Sequence, residues 1–136
     1  MPRVTDWKNQ KYDIKIKTKK HDVDIPYGEH FEKKIDKMFH DRDVEVKTER
    51  NIWMNTGNIA VEVKQYGRPS GLSITTANYW IHLLADGKEL KGGFIFPVKE
   101  LKKKVKEMIK SGDARIEPGG DYKASLNVLM PINKLL

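Results

Sequence analysis

The tetrapeptide Val-Glu-Val-Lys occurs twice in this chain, at residues 44–47 and 61–64. Residues two apart on an extended strand share a face, so each copy sets a carboxylate beside an ammonium and turns its valines the other way. That pairing suits phosphodiester hydrolysis assisted by a divalent cation. Such a reaction needs hard oxygen ligands for the cation, an activated water, and positive charge where negative charge develops on phosphorus. Asp43, Glu62 and Lys64 are of the right types, and Glu32 offers a third carboxylate. Glu-x-Lys is a common triplet in a chain this charged, and a plain solvated strand satisfies it equally. The weight rests on its combination with Asp43 and Glu32.

The elements that must position these side chains follow from hydrophobic periodicity. Residues 11–19 alternate, with Tyr12, Ile14 and Ile16 opposite Asp13, Lys15 and Lys17. They predict a strand whose basic edge, Lys17, Lys19 and Lys20, could meet a DNA backbone; a lysine-protected edge strand is the plainer alternative. After Pro26-Tyr27-Gly28 the spacing predicts a helix over 29–41, with Phe31, Ile35, Met38 and Phe39 as its buried stripe. Glu32 falls at the edge of that stripe, where it can lean over a neighbouring sheet. Residues 43–49 and 59–64 read as strands, joined through the turn residues Asn55-Thr56-Gly57-Asn58 into an antiparallel hairpin.

Residues 75–80 could form a short helix, followed by strands over 81–85 and 94–96. Pro97 opens the clearest helix, which ends near Ser111-Gly112. Its core side is Leu101, Val105, Met108 and Ile109, and its outside is studded with lysines. A Pro118-Gly119-Gly120 turn and an apolar strand over 126–130 complete the chain. The order predicts an α/β fold with a mixed central sheet flanked by helices. Residues 1–26 form a lead-in with the basic strand, and residues 27–136 one domain.

The two copies of the tetrapeptide compete for the site. If Glu45-x-Lys47 were the reactive pair, its partner carboxylate would be Asp41 or Asp43, with too little chain between for a strand and a turn. Glu62-x-Lys64 is therefore preferred, with Asp43 opposite it, while Lys47 remains able to reach the site from the neighbouring strand.

Gly28-x-x-x-Glu32 on a first helix, then Asp43, then Glu62-x-Lys64, resembles the PD-(D/E)XK nuclease superfamily, especially its Holliday-junction-resolvase-like branch and small phage-encoded members. The stretches 56–62, 67–71 (Gly-Arg-Pro-Ser-Gly) and 77–80 add to the resemblance, which covers residues 28–80. It implies a restriction-endonuclease-like core, Mg²⁺ or Mn²⁺ held by Glu32, Asp43 and Glu62, and Lys64 in catalysis. Arg42 stands where the family name has proline, and the separation from Asp43 to Glu62 exceeds that of the tightest members.

Composition agrees with a polyanion partner. The formal net charge is +7, a third of the residues are charged and 38% are hydrophobic. This is too apolar for wholesale disorder, and no run suits a membrane span. A basic domain favours nucleic acid, and carboxylates inside it make sense where a cation sits between them and phosphate. Arg68 and Ser70, in the loop after the motif, could contact that phosphate. The chain has no cysteine, its four histidines lack paired zinc spacing, and no phosphate-binding Gly loop is present. The expected location is cytoplasmic, in a cell or in a phage-infected host, and a homodimer would suit a substrate with two strands to cut. Two other classes fit the composition: a non-catalytic basic nucleic-acid-binding module, and a phage-type protein-interaction module.

Overall fold

Strong alternation at Ile59, Val61, Val128 and Met130 builds the centre of the fold, because these four side chains are almost wholly excluded from water. Each such burial stabilises the fold by about 1.5–3 kcal/mol. The computed structural model describes residues 24–41 and 43–136, with side chains from Pro26 onward. The strand expected over residues 11–19, with Lys17, Lys19 and Lys20, lies outside the described residues.

The chain divides between Lys37 and Met38. That division falls inside helix α1, Asp24–His40. On α1, Tyr27 meets Phe31 one turn later, edge to face at 5.0 Å between centroids. Of the expected stripe, Met38 is buried, while Phe31, Ile35 and Phe39 are exposed.

The unit from Met38 onward is mixed α/β. Its strands are β1 (Val44–Glu49), β2 (Asn58–Gln65), β3 (Arg68–Pro69), β4 (Tyr79–Asp86), β5 (Glu89–Pro97), β6 (Arg115–Gly119) and β7 (Ser125–Pro131). The short helix α2 (Trp53–Thr56) lies between β1 and β2, and α3 (Val98–Ser111) follows β5. The strands form two sheets, β1-β4-β5 and β3-β2-β7-β6.

This corrects the hairpin expected between β1 and β2. The two strands belong to different sheets: β1 pairs parallel with β4, from Val44↔Tyr79 to Glu49↔Leu84. Parallel neighbours require a long crossover, and residues 50–78 supply it. Trp53 anchors its start, its indole N–H donating to Ala85 O at 2.8 Å. Residues 75–80 are not helical either. Thr75 Oγ1 accepts the Ala77 N–H, and the run from Tyr79, rich in β-branched and aromatic side chains, extends into β4.

The Asp86-Gly87-Lys88 segment turns β4 back into β5, and β5 begins at Glu89, ahead of the 94–96 strand read from the sequence. Helix α3 buries Val98, Leu101, Val105 and Met108, and it ends at Gly112, whose φ of 82° suits the left-handed cap. Ile109, expected in the core, is exposed. One cluster joins α3 to both sheets: Ile59, Val61, Trp80, Leu84, Phe96, Leu101, Val128 and Met130 are among its members. Among the described residues no helix is long and apolar enough to cross a membrane.

Candidate functional site

β1 alternates as expected, but its polar side faces inward. Glu45, Lys47 and Glu49 are half-buried, whereas Val46 is 51% exposed. The register explains it. Glu45, Lys47 and Glu49 stand beside Trp80, His82 and Leu84 of β4, all three buried. Lys47 Nζ lies 3.4 Å from Glu45 Oε1 and 5.9 Å from the centroid of the Trp80 ring, a cation–π distance.

Glu49 sits where the two sheets meet. Its Oε1 accepts the backbone N–H of Ala60 on β2, and His82 Nε2 lies 2.8 Å from the same oxygen. On β2, Ile59 and Val61 turn to the core, while Ala60 and Glu62 lie on the other face, in register with Leu129 and Asn127 of β7. Glu117 of β6 pairs with the same Asn127. These side chains line an open cleft of about 570 Å³, in which Glu49, Glu62, Glu117 and Asn127 are the principal oxygen donors. Glu117 is bonded to Arg115 at 2.7 Å, and Asn127 Nδ2 donates to Ser125 Oγ at 3.0 Å. Glu62 is half-buried and has no side-chain hydrogen bond or ion pair among the described residues.

A tight contact fixes the backbone at Glu62. Gly71 has φ 51°, and a Cβ built there would come 2.3 Å from Glu62 O. Only glycine fits so close to a strand carbonyl in that conformation. The Gly67–Gly71 segment therefore clamps β2. Arg68 and Pro69 pair with Gln65 and Lys64, and the Ser70 N–H donates to Val63 O. Arg68 is exposed, and the Ser70 hydroxyl is buried without a hydrogen-bond partner.

The other expected site residues are placed as follows. Asp43 immediately precedes β1, and both its carboxylate oxygens accept from Asn78, one from the backbone N–H at 2.8 Å and one from the side-chain amide. A β-bulge interrupts β2 between Glu62 and Lys64, and Lys64 then pairs with Leu126, the neighbour of Asn127. Adjacent strand residues point to opposite faces, so the alternation that would set Lys64 beside Glu62 is lost. Lys64 is exposed and does not line the cleft. Glu32 lies on α1 in the unit before Met38. Among the described residues no three Asp, Glu, His or Cys side chains group closely enough to hold a metal ion by themselves.

Sequence reasoning did not single out Glu49, His82, Glu117 or Asn127. Glu49 continues the odd-numbered series Asp43, Glu45, Lys47, and that periodicity could have found it. His82 and Trp80 are likewise two apart on one strand. Glu117 was hidden by Pro118-Gly119, which reads as a turn and proves to be the end of β6. Comparison with protein-family models, curated proteins and solved structures found no match.

Proposed function

We propose that this chain is a divalent-metal-dependent DNA endonuclease, hydrolysing phosphodiester bonds with Mg²⁺ or Mn²⁺, and that the α/β unit from Met38 onward is a restriction-endonuclease-like core. The observation that carries this reading is Glu62, a half-buried carboxylate without a partner among the described residues, in a cleft it shares with Glu49 and Asn127. A carboxylate drawn partly out of water and left unpaired gains most from a cation.

The donor set fits the group. It is made of oxygens alone, as a hard cation requires. Mg²⁺ in particular takes one or two protein carboxylates and completes its shell with water and substrate phosphate. Glu62 and Glu49 would hold the cation, with the Asn127 amide oxygen beside them. When bound, it would supply Lewis-acid stabilisation and a water of lowered pKa.

Lys47 is the lysine this reading favours, because it shares a face of β1 with Glu49, two residues away, although like Lys64 it is not among the residues that line the cleft. From that strand the Lys47 ammonium would neutralise charge developing on phosphorus. Asp43 serves instead as the anchor that ties the Asn78 turn to the start of β1. The net charge of +7 would draw the polyanion, and a homodimer would present two clefts to two strands.

A second reading, a basic nucleic-acid-binding module without catalysis, is favoured by one observation. Asp43, expected as a ligand, already has both oxygens occupied. The test is cleavage of linear duplex, branched and single-stranded DNA with and without Mg²⁺, by the native chain and by Glu62→Ala. The endonuclease reading expects metal-dependent cutting that the variant loses. A pure binder would retain DNA in the absence of metal, and removing Glu62 would leave its affinity equal or higher.

A further inference from the structure

His82 is 2% exposed and is held at both ring nitrogens. Trp80 Nε1 lies 3.0 Å from His82 Nδ1, and the two rings stack 15° from parallel. An indole N–H can only donate, so His82 Nδ1 must be the acceptor and carry no proton. The ring proton is then on Nε2, and it points at Glu49 Oε1, 2.8 Å away. The contact between His82 and Glu49 is in consequence a directed hydrogen bond from His82 Nε2–H to the carboxylate. The Ala60 N–H is the other donor to Oε1. Glu49 Oε2 has no partner among the described residues, on a side chain that lines the cleft.

We propose that His82 is a positioning residue. With its tautomer fixed by Trp80, it orients Glu49 so that the second carboxylate oxygen is offered to a divalent cation in the cleft that Glu49 shares with Glu62. This proposal rests on the endonuclease reading for the cation's role in cleavage, but the relay itself is a property of the folded chain. The parts divide the work. Trp80 on β4 selects the tautomer, His82 on the same strand passes on one directed N–H, and Glu49 on β1 accepts it together with a β2 amide. One carboxylate thus bridges three strands from two sheets, and one of the two groups that orient it, His82, is buried. Partners of this kind behind a metal-binding carboxylate typically change metal affinity or activity about 10–100-fold when removed.

Three measurements on the full chain test the proposal. Nitrogen NMR of ¹⁵N-histidine-labelled protein at mildly alkaline pH should show His82 with a proton on Nε2 and a bare Nδ1. A proton on Nδ1 overturns the relay whatever the chain's activity. Calorimetric titration with Mn²⁺ in the absence of DNA should show binding weakened about 10–100-fold in His82→Leu. His82→Gln should bind near the native level, because its amide can accept from Trp80 and donate to Glu49. Equal binding by the native chain and by a folded His82→Leu overturns the positioning role, as does equal weakening in both variants. Should His82→Leu not fold, the NMR result and the His82→Gln titration still decide. Cleavage assays are kept separate. If the relay and the Mn²⁺ effect are found but DNA is not cut, the endonuclease reading fails and the positioning of Glu49 stands.

Discussion

Gly71→Ala should damage this protein in a way that Gly67→Ala does not. Both glycines have positive φ, 51° and 74°, so alanine at either position pays the left-handed penalty of about 1–2 kcal/mol. Their surroundings differ. At Gly67 a Cβ meets nothing within 4 Å, while at Gly71 it would come 2.3 Å from Glu62 O, 2.9 Å from Glu62 C and 3.1 Å from Glu62 Cβ. All but the last are backbone atoms of β2, a strand bonded into its sheet and unable to yield as a side-chain tip would. Loop and strand must part, which adds an overpacking cost of about 1–3 kcal/mol. Urea unfolding, comparing midpoints at an unchanged m-value, should therefore show Gly71→Ala less stable than Gly67→Ala by that increment. Since the atoms displaced belong to Glu62, metal-dependent cleavage should also fall further in Gly71→Ala than in Gly67→Ala at a temperature where both are folded. Equal loss of stability in the two variants would refute the clamp.

Three other outcomes follow from the placement of individual side chains. Lys47→Met should reduce cleavage by about 10²–10³-fold, the usual effect of removing one electrostatic stabiliser, while Lys64→Met stays within about threefold of native; the reverse order in single-turnover assays would return the catalytic role to Lys64. Asp43→Ala should lower stability by about 1–2 kcal/mol through loss of its bonds to Asn78 yet retain metal-dependent cutting, and a stable but inactive variant would make Asp43 a ligand after all. Hydrogen bonds from Lys134 and Ser111 hold the Asp113 carboxyl below its ordinary value of 3.8. A lowered folded pKa contributes stability that is present above the unfolded value and is lost as pH falls through the folded one, so the stability gap between native and Asp113→Asn in urea should be open at pH 7 and close in strong acid.

The sequence carried the local elements better than their partners. Helix α3 was legible because four apolar residues at helical spacing lie between a proline and a glycine cap. The turn after β4 was legible from Asp86-Gly87, though not the full length of β5 that follows it. The pairing of β1 was not, because a six-residue strand with alternating charge and valine fits a β2 hairpin and a parallel β4 edge alike. What selected β4 was the buried Trp80-x-His82 face, which takes the charged side of β1 against it and sends Val46 to solvent. The same limit applied to the site. Glu62 was singled out by its Glu-x-Lys spacing. Lys64 was assigned to that face by strict alternation, which one extra residue at the bulge is enough to break. A bulge in the pairing of β2 with β7 cannot be read from the four letters of the motif. His82 could not be weighed at all until its neighbours were known, because a lone histidine in an apolar strand is more often a satisfied core residue than part of a site.

The central claim is that Glu62 is the carboxylate on which metal-dependent chemistry depends, and the most direct measurement is a cleavage time course on duplex and branched DNA by native protein and Glu62→Ala, in Mg²⁺ and in EDTA. The account predicts cutting by the native chain in Mg²⁺ only, and none by a folded Glu62→Ala. Cutting by Glu62→Ala at the native rate, or undiminished native cutting in EDTA, would contradict it.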